Sequence, residues 1–220
     1  NTQNPTRPGA TPAMGGVYTV TVTGVGGCTA TSTTTVVVNP LPIPTANNTG
    51  PYCAGATIQL NSPTGSATDD WTGPGGYIQN NTQNPTRPLS TVAMSGVYTV
   101  TVTAAGGCSA TATTTVTVNP APTPTANNTG PYCAGATIQL NSPTGSGTDD
   151  WVGPAVYSAV DTQNPTILAS TPAMSGVYTV TVTNAGGCSA TATTTVTVNA
   201  LPTPTANNTC LLYTSDAADE

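Results

Sequence analysis

Apolar and hydroxyl side chains alternate along several short stretches of this chain. In Val97–Thr103, Tyr98, Val100 and Val102 share one face while Thr99, Thr101 and Thr103 take the other. In Ala110–Val118, Ala110, Ala112, Thr114, Val116 and Val118 oppose Thr111, Thr113, Thr115 and Thr117. Thr57–Leu60 puts Ile58 and Leu60 together. A period of two, rich in Val and Thr, predicts half-buried strands. Clusters of Gly, Pro, Asn and Ser at 61–66, 73–76 and 104–107 predict the turns between them. No stretch combines a helical period with capping signals. Several short strands in about 80 residues predict an all-β sandwich.

The pattern itself recurs. Tyr18, Tyr98 and Tyr178 are spaced by 80 residues, as are Cys28, Cys108 and Cys188. The sequence of Pro51–Ser66 returns unchanged at Pro131–Ser146. This predicts two full modules, at 43–119 and 123–199, with residues 1–39 as the C-terminal part of a further one. Residues 200–209 read as a linker. The joints Asn39–Pro44 and Asn119–Pro124 alternate proline with other residues, which favours extended, semi-rigid spacers over floppy ones. Cys210–Glu220 departs from the repeat and resembles translated sequencing-adapter read-through, so it is expected to be an artefactual tail.

Charge narrows the function. There is no Lys or His, the bases are Arg7 and Arg87, and the net charge is −6. That leaves no electrostatic footprint for nucleic acid or anionic lipid. No apolar run approaches the ~20 residues of a membrane span. With neither His nor Lys to serve as base, no nucleophile–base constellation is visible, and the chain is expected not to be an enzyme. No cofactor is expected.

Each full module has two cysteines: Cys53 and Cys108 in one, Cys133 and Cys188 in the other. One precedes the Thr57–Leu60 strand and the other follows the Tyr98 strand. If these are the B and F strands of a sandwich, those ends can meet, giving Cys53–Cys108 and Cys133–Cys188 disulfides. Such a loop stabilises a small module by about 4 kcal/mol in the chain-entropy model. Two buried free thiols are the alternative; a metal site is poorly supplied with ligands. Disulfides place the protein in an oxidising, extracellular setting. Cys28 is left without a partner.

Gly96-Val97-Tyr98 resembles the tyrosine corner of immunoglobulin-like domains, where a Tyr near the start of strand F bonds back to the backbone. Trp71 and Trp151 would be the strand C tryptophans, buried in the core, or else exposed for sugar stacking. The order Tyr-Cys-Ala-Gly-Ala-Thr-Ile-Gln-Leu, Trp-Thr-Gly-Pro-Gly-Gly, Gln-Asn-Pro-Thr, Ser-Gly-Val-Tyr-Thr-Val-Thr-Val-Thr, Gly-Gly-Cys-Ser-Ala-Thr resembles the Ig-like tandem repeats of large secreted or gliding-type adhesins of Bacteroidota. The resemblance covers residues 1–209 and implies tandem immunoglobulin-like antiparallel β-sandwiches at the cell surface, covalently continuous with further repeats. At 152–157 the second module departs from the first, and a different turn is expected there.

Asp69-Asp70 and Asp149-Asp150 read as solvated loop acids, or as part of a Ca2+ site. The two modules differ at 14 of 77 aligned positions, eleven of them within 72–81 and 87–92 or their equivalents. Near-identity elsewhere suits a structural spacer or stalk. The alternative is a glycan- or protein-binding module using loops 74–81 and 154–161, with Tyr77 and Tyr157 as ligand contacts.

Overall fold

The computed structural model describes residues 3–63, 68–143 and 147–206. The tail 210–220 and Cys210 lie outside the described residues. The chain divides into two compact units, Asn1–Ala121 and Pro122–Glu220, and the division falls within a proline-rich joint.

The first unit opens with a hairpin of β1 (Gly16–Thr23) and β2 (Thr29–Val36). The 43–119 repeat follows as β3 (Asn47–Asn48), β4 (Tyr52–Cys53), β5 (Ile58–Asn61), β6 (Thr68–Gly73), β7 (Tyr77–Gln79), β8 (Thr86–Arg87), β9 (Gly96–Thr103), β10 (Ser109–Val116) and β11 (Val118–Asn119). One sheet has the order β3-β5-β8 and the other β10-β9-β6-β7. A parallel pairing of β4 with β11 closes one margin. All other pairings of this repeat are antiparallel. In immunoglobulin terms the sheets are A-B-E and G-F-C-C′, with A′ parallel to G.

The second unit repeats this element for element. Its strands are β12 (Asn127–Asn128), β13 (Tyr132–Cys133), β14 (Ile138–Asn141), β15 (Thr148–Gly153), β16 (Tyr157–Ala159), β17 (Thr166–Ile167), β18 (Gly176–Thr183), β19 (Ser189–Val196) and β20 (Val198–Asn199). The register repeats too: Trp71 pairs with Val100 and Gln79, and Trp151 with Val180 and Ala159. The protein is therefore a tandem of immunoglobulin-like antiparallel sandwiches.

Alternation explains the core. Tyr98, Val100 and Val102 of β9 point inward onto Ile58 and Leu60 of β5 and Trp71 of β6, and all six are fully buried. Fully burying each such side chain is worth about 1.5–3 kcal/mol. Val116, Val118 and Tyr52 complete the cluster. The Trp71 indole N–H donates to the Gln83 carbonyl at 3.3 Å, so its polar edge is satisfied inside the fold.

One hub lay outside the sequence reading. The Tyr52 hydroxyl accepts from the Thr49 and Gln59 amides at 2.9 and 3.1 Å and donates to the Gln59 carbonyl at 2.9 Å. It thereby ties β4 to β5. Gly50 is required beside it, since a Cβ there would lie 2.7 Å from the Tyr52 ring. Asn48 carries the other link, donating to Thr114 Oγ1 and the Thr115 carbonyl at 2.8 and 2.9 Å. The segment Asn48–Tyr52 thus docks the leading edge of the repeat onto its last two strands, β10 and β11.

Candidate functional site

The variable end of each repeat is built around the tyrosine corner. The Tyr98 hydroxyl donates to the Met94 carbonyl at 3.1 Å, and Tyr178 does the same to Met174 at 3.0 Å. Gly73 lets β6 pass over the Tyr98 ring, where a Cβ would come within 2.4 Å of it. Arg87 then reaches across. Its guanidinium donates to the Tyr98 hydroxyl at 2.8 Å and to the Pro74 carbonyl at 2.9 Å, and lies 5.0 Å from the Tyr77 ring centre. Charge-assisted bonds of this kind are stronger than neutral ones. In the second repeat Ile167 stands in the place of Arg87 and packs against the core instead.

This geometry places the candidate contacts Tyr77 and Tyr157. Neither ring projects freely from its loop. Tyr77 packs edge-on against Tyr98 with centroids 5.6 Å apart, and Tyr157 sits on Tyr178 at the same distance. Both are half-buried, and the Tyr77 hydroxyl is buried without a hydrogen-bond partner. Burial pushes both phenols above their ordinary pKa, with Tyr98 adding to the effect at Tyr77 and Arg87 opposing it. They therefore stay neutral over the physiological range. The exposed large apolar groups of this end include Ile78, Leu89 and Val92 in one repeat, and Val152, Val156, Val160 and Leu168 in the other.

The turn after Gly153 is not the different turn that was expected. Gly75 and Gly76 have left-handed φ of 67° and 70°; Ala155 and Val156 adopt 54° at the same places. The strand pairing around the turn is unchanged, with Gly73 opposite Tyr77 and Gly153 opposite Tyr157. A β-branched residue is costly in this conformation. The pairing of the flanking strands imposes it.

The cysteines depart from expectation. Cys53 and Cys188 are each disulfide-bonded, while Cys28, Cys108 and Cys133 are free thiols. The Cys53–Cys108 and Cys133–Cys188 bonds are thus not made, and the reason is strand direction. β3 and β4 run alongside β10 and β11 in the same sense, as Asn48 on Thr115 and Tyr52 opposite Val118 show. β5 is antiparallel to β3, and β9 to β10, so β5 and β9 run the same way. The start of one is then far from the end of the other. Cys53 lies beside Asn119, whereas Cys108 lies in the turn between β9 and β10. The eight residues of β10 put about 26 Å between those ends. A disulfide spans at most about 7 Å between Cα atoms.

The acid pairs also move. Asp69 and Asp149 are in strands, not solvated loops, and they are buried on the Trp face. Asp70 and Asp150 take the opposite face, where each accepts a backbone N–H, from Asn81 and Asp161 at 2.8 and 2.9 Å. Burial raises the Asp149 pKa; a hydrogen bond with Ser142 works against this, and the Asp161 and Asp150 charges add to it. Among the described residues no three acidic, His or Cys side chains come together as a metal site.

No family model and no curated protein matches the chain. Solved structures do. Murine CEACAM1b is 13% identical, with a TM-score of 0.41, over 72% of this chain and 100% of its own. Immunoglobulin domains 1–5 of Sidekick-1 are 18% identical, with a TM-score of 0.38, over 86% of this chain and 48% of theirs. The three N-terminal domains of the bacteriophage RB49 Highly Immunogenic Outer Capsid protein are 22% identical, with a TM-score of 0.36, over 72% and 59%. The assignment of the fold rests on the strand order described above. No helix among the described residues is long and apolar enough to cross a membrane, which says nothing of a β-barrel.

Proposed function

We propose that the chain is a run of spacer repeats from a secreted bacterial cell-surface protein of the adhesin type, without catalytic activity of its own. The observation that carries this reading is the equivalence of the two repeats. Their cores use the same residue types in the same register, from Ile58, Leu60, Trp71 and Tyr98 to Ile138, Leu140, Trp151 and Tyr178. A sequence that preserves packing while its loops change is selected for being a fold, not for a shared contact surface. The side chains best suited to gripping a ligand are engaged in contacts within the chain. Tyr77 and Tyr157 pack on the tyrosine corner, and Arg7 and Arg87 hold the hydroxyls of Tyr18 and Tyr98. The outer face of β9 and β10 presents Thr, with little surface for stacking on sugar rings. Disulfide bonding fits an extracellular location.

The test is the purified chain on a glycan array, with and without calcium. Spacer repeats give no saturable binding under either condition. Calcium-dependent glycan binding that is lost when residues 74–81 and 154–161 are exchanged for Gly-Ser loops of equal length would replace this reading with the binding-module one.

A further inference from the structure

Within the first unit, residues 43–81 lie in sequence between two copies of the surface that receives them. They are seated on the later copy, 83–119: β5 pairs with β8, β6 with β9, and β4 with β11. Residues 3–39 match 83–119 at 28 of 37 positions, and the matches include the seat itself. Pro85, Thr86 and Arg87, which border β5, recur as Pro5, Thr6 and Arg7. Residues 99–103, which pair with β6, recur unchanged as 19–23. Thr114 and Thr115, which hold Asn48, recur as Thr34 and Thr35, and Val118 and Asn119 as Val38 and Asn39. Ser90, which donates to the Cys53 carbonyl at 3.0 Å, is Ala10 in the earlier copy, so that bond is lost. The earlier copy is already shaped. β1 and β2 pair in the register of β9 and β10, Arg7 donates to the Tyr18 hydroxyl at 3.2 Å, and Tyr18 donates to the Met14 carbonyl. Pro5, Arg7, Met14, Tyr18, Val36 and Val38 line one open groove. In the later copy, Tyr98, Val116 and Val118 are buried in one cluster with Ile58, Leu60 and Trp71. Among the described residues β1 pairs with β2 alone, which leaves its other edge open to a strand.

We propose that the apolar face and open edge of β1–β2 form a second docking site for residues 43–81 of the same chain. The segment packs forward onto 83–119 in the structure and can pack backward onto 3–39. The proposal rests on the two matching surfaces and not on the spacer reading. The joint is long enough to allow it. Seated backward, Tyr52 lies opposite Val38 and Asn48 beside Thr35, as they lie opposite Val118 and beside Thr115 now. The chain must then return from Asn39 to Asn48, a distance of about 17 Å along parallel strands. The nine residues between them reach about 30 Å, and closure entropy changes slowly with loop length. Two features of the joint favour the forward seat. Pro40, Pro42 and Pro44 keep it extended and resist its reversal. The Asn39 side chain also donates to the Gly106 carbonyl, in the turn of the following hairpin, at 3.3 Å. Contacts alone scarcely distinguish the two seats; the joint sets the direction.

The test closes the forward seat in the whole chain. Val100 is fully buried opposite Trp71, and Val100→Asp puts a charge there. Hydrogen exchange by mass spectrometry follows peptides covering 9–25, 68–79 and 89–105, which differ in sequence from one another and from their counterparts in 123–199. Reductant is present, so that no bond at Cys53 restrains the segment. The expected result is exchange at 97–103 as fast as in an open hairpin, exchange at 17–23 slowed about tenfold or more, and 68–73 still protected. Fast exchange in all three overturns the proposal. Adding Val20→Asp closes the second seat as well, and protection at 17–23 and 68–73 is then lost; protection of 68–73 that survives both substitutions overturns it too. A milder variant buries no charge: Val100→Ala with Pro40, Pro42 and Pro44 replaced by glycine weakens the forward seat and frees the joint. Exchange at 17–23 slows there also, and unchanged exchange at 17–23 contradicts the proposal. Slowing that disappears on dilution assigns the occupant to a second copy of the chain and overturns docking within one chain. None of these readouts depends on whether the array binds glycan.

Discussion

The hairpin β1–β2 and the hairpin β9–β10 carry nearly the same sequence in the same register, and they live in opposite environments. Val17 to Thr23 and Val97 to Thr103 are identical, and Tyr18 faces Thr34 as Tyr98 faces Thr114. Yet Tyr18, Val20 and Val22 are 39, 56 and 62% exposed, while Tyr98, Val100 and Val102 are fully buried. Even the tyrosine-corner bond is present in both, from Tyr18 to the Met14 carbonyl at 2.7 Å and from Tyr98 to Met94. Local pattern therefore specifies the hairpin and its corner. Stability comes from the other half of the repeat, which brings Ile58, Leu60 and Trp71 onto the apolar face. A two-stranded hairpin alone is marginal in water.

The largest expected effect removes that cover. Trp71→Ala should cost the 43–119 repeat about 3–5 kcal/mol, enough to make β9–β10 exchange its amides as fast as β1–β2. Hydrogen exchange by mass spectrometry reads this, with the 123–199 repeat as an internal reference. Protection of residues 96–103 surviving the substitution would show that the hairpin holds itself.

A smaller cut separates corner from core. Tyr98→Phe removes the bond to Met94 and takes one acceptor from the Arg87 guanidinium, which keeps the Pro74 carbonyl, for a loss of about 1–3 kcal/mol. Tyr18→Phe, at an exposed copy of the same corner, should change the protection of the full repeats by nothing measurable. Equal effects at the two sites would mean that the corner acts locally and burial adds nothing.

The two full repeats offer a comparison of their own. Ala155 and Val156 hold left-handed conformations that Gly75 and Gly76 hold without strain. Replacing both with Gly should stabilise the 123–199 repeat by about 1 kcal/mol, after the entropy that glycine adds to the unfolded chain. Chemical denaturation of the double variant measures it, and a destabilisation would refute the strain argument.

The smallest effect is one of pH. The Asp149 pKa is raised in the folded state above the ordinary 3.8. Its proton therefore binds the folded form more tightly. The stabilising contribution is full below the unfolded value and is lost as pH rises through the folded one. Acidification from neutrality toward that value should narrow the stability gap between the parent and Asp149→Asn, as read from melting temperatures. A gap that stays constant with pH contradicts the shift.

Much of this was legible in residue order. Period-two alternation located β5, β9 and β10, and the tyrosine and tryptophan positions marked the core. Three things were not. The cysteine ends depend on which way β5 runs relative to β9, and that is set by β3 and β4, two-residue strands with no periodicity to read. The burial of Asp69 and Asp149 depends on β6 and β15 beginning before their tryptophans, so that the acid two residues earlier shares the tryptophan's face. The Ala155-Val156 turn follows from pairing on both sides, which overrides the preference of the residues themselves. At the candidate site, Tyr77 and Tyr157 were legible as ring residues in variable loops; the inward packing was not, because it needs Gly73 and Gly153 to open room for the corner.

The central claim is that the second half of a repeat is stabilised by the first. Native-state hydrogen exchange on the unmodified chain tests it directly, by comparing amides of 17–23 with the identical 97–103. The account predicts exchange at 17–23 at least tenfold faster, because opening an exposed hairpin uncovers no core. Equal protection of the two identical segments would contradict it.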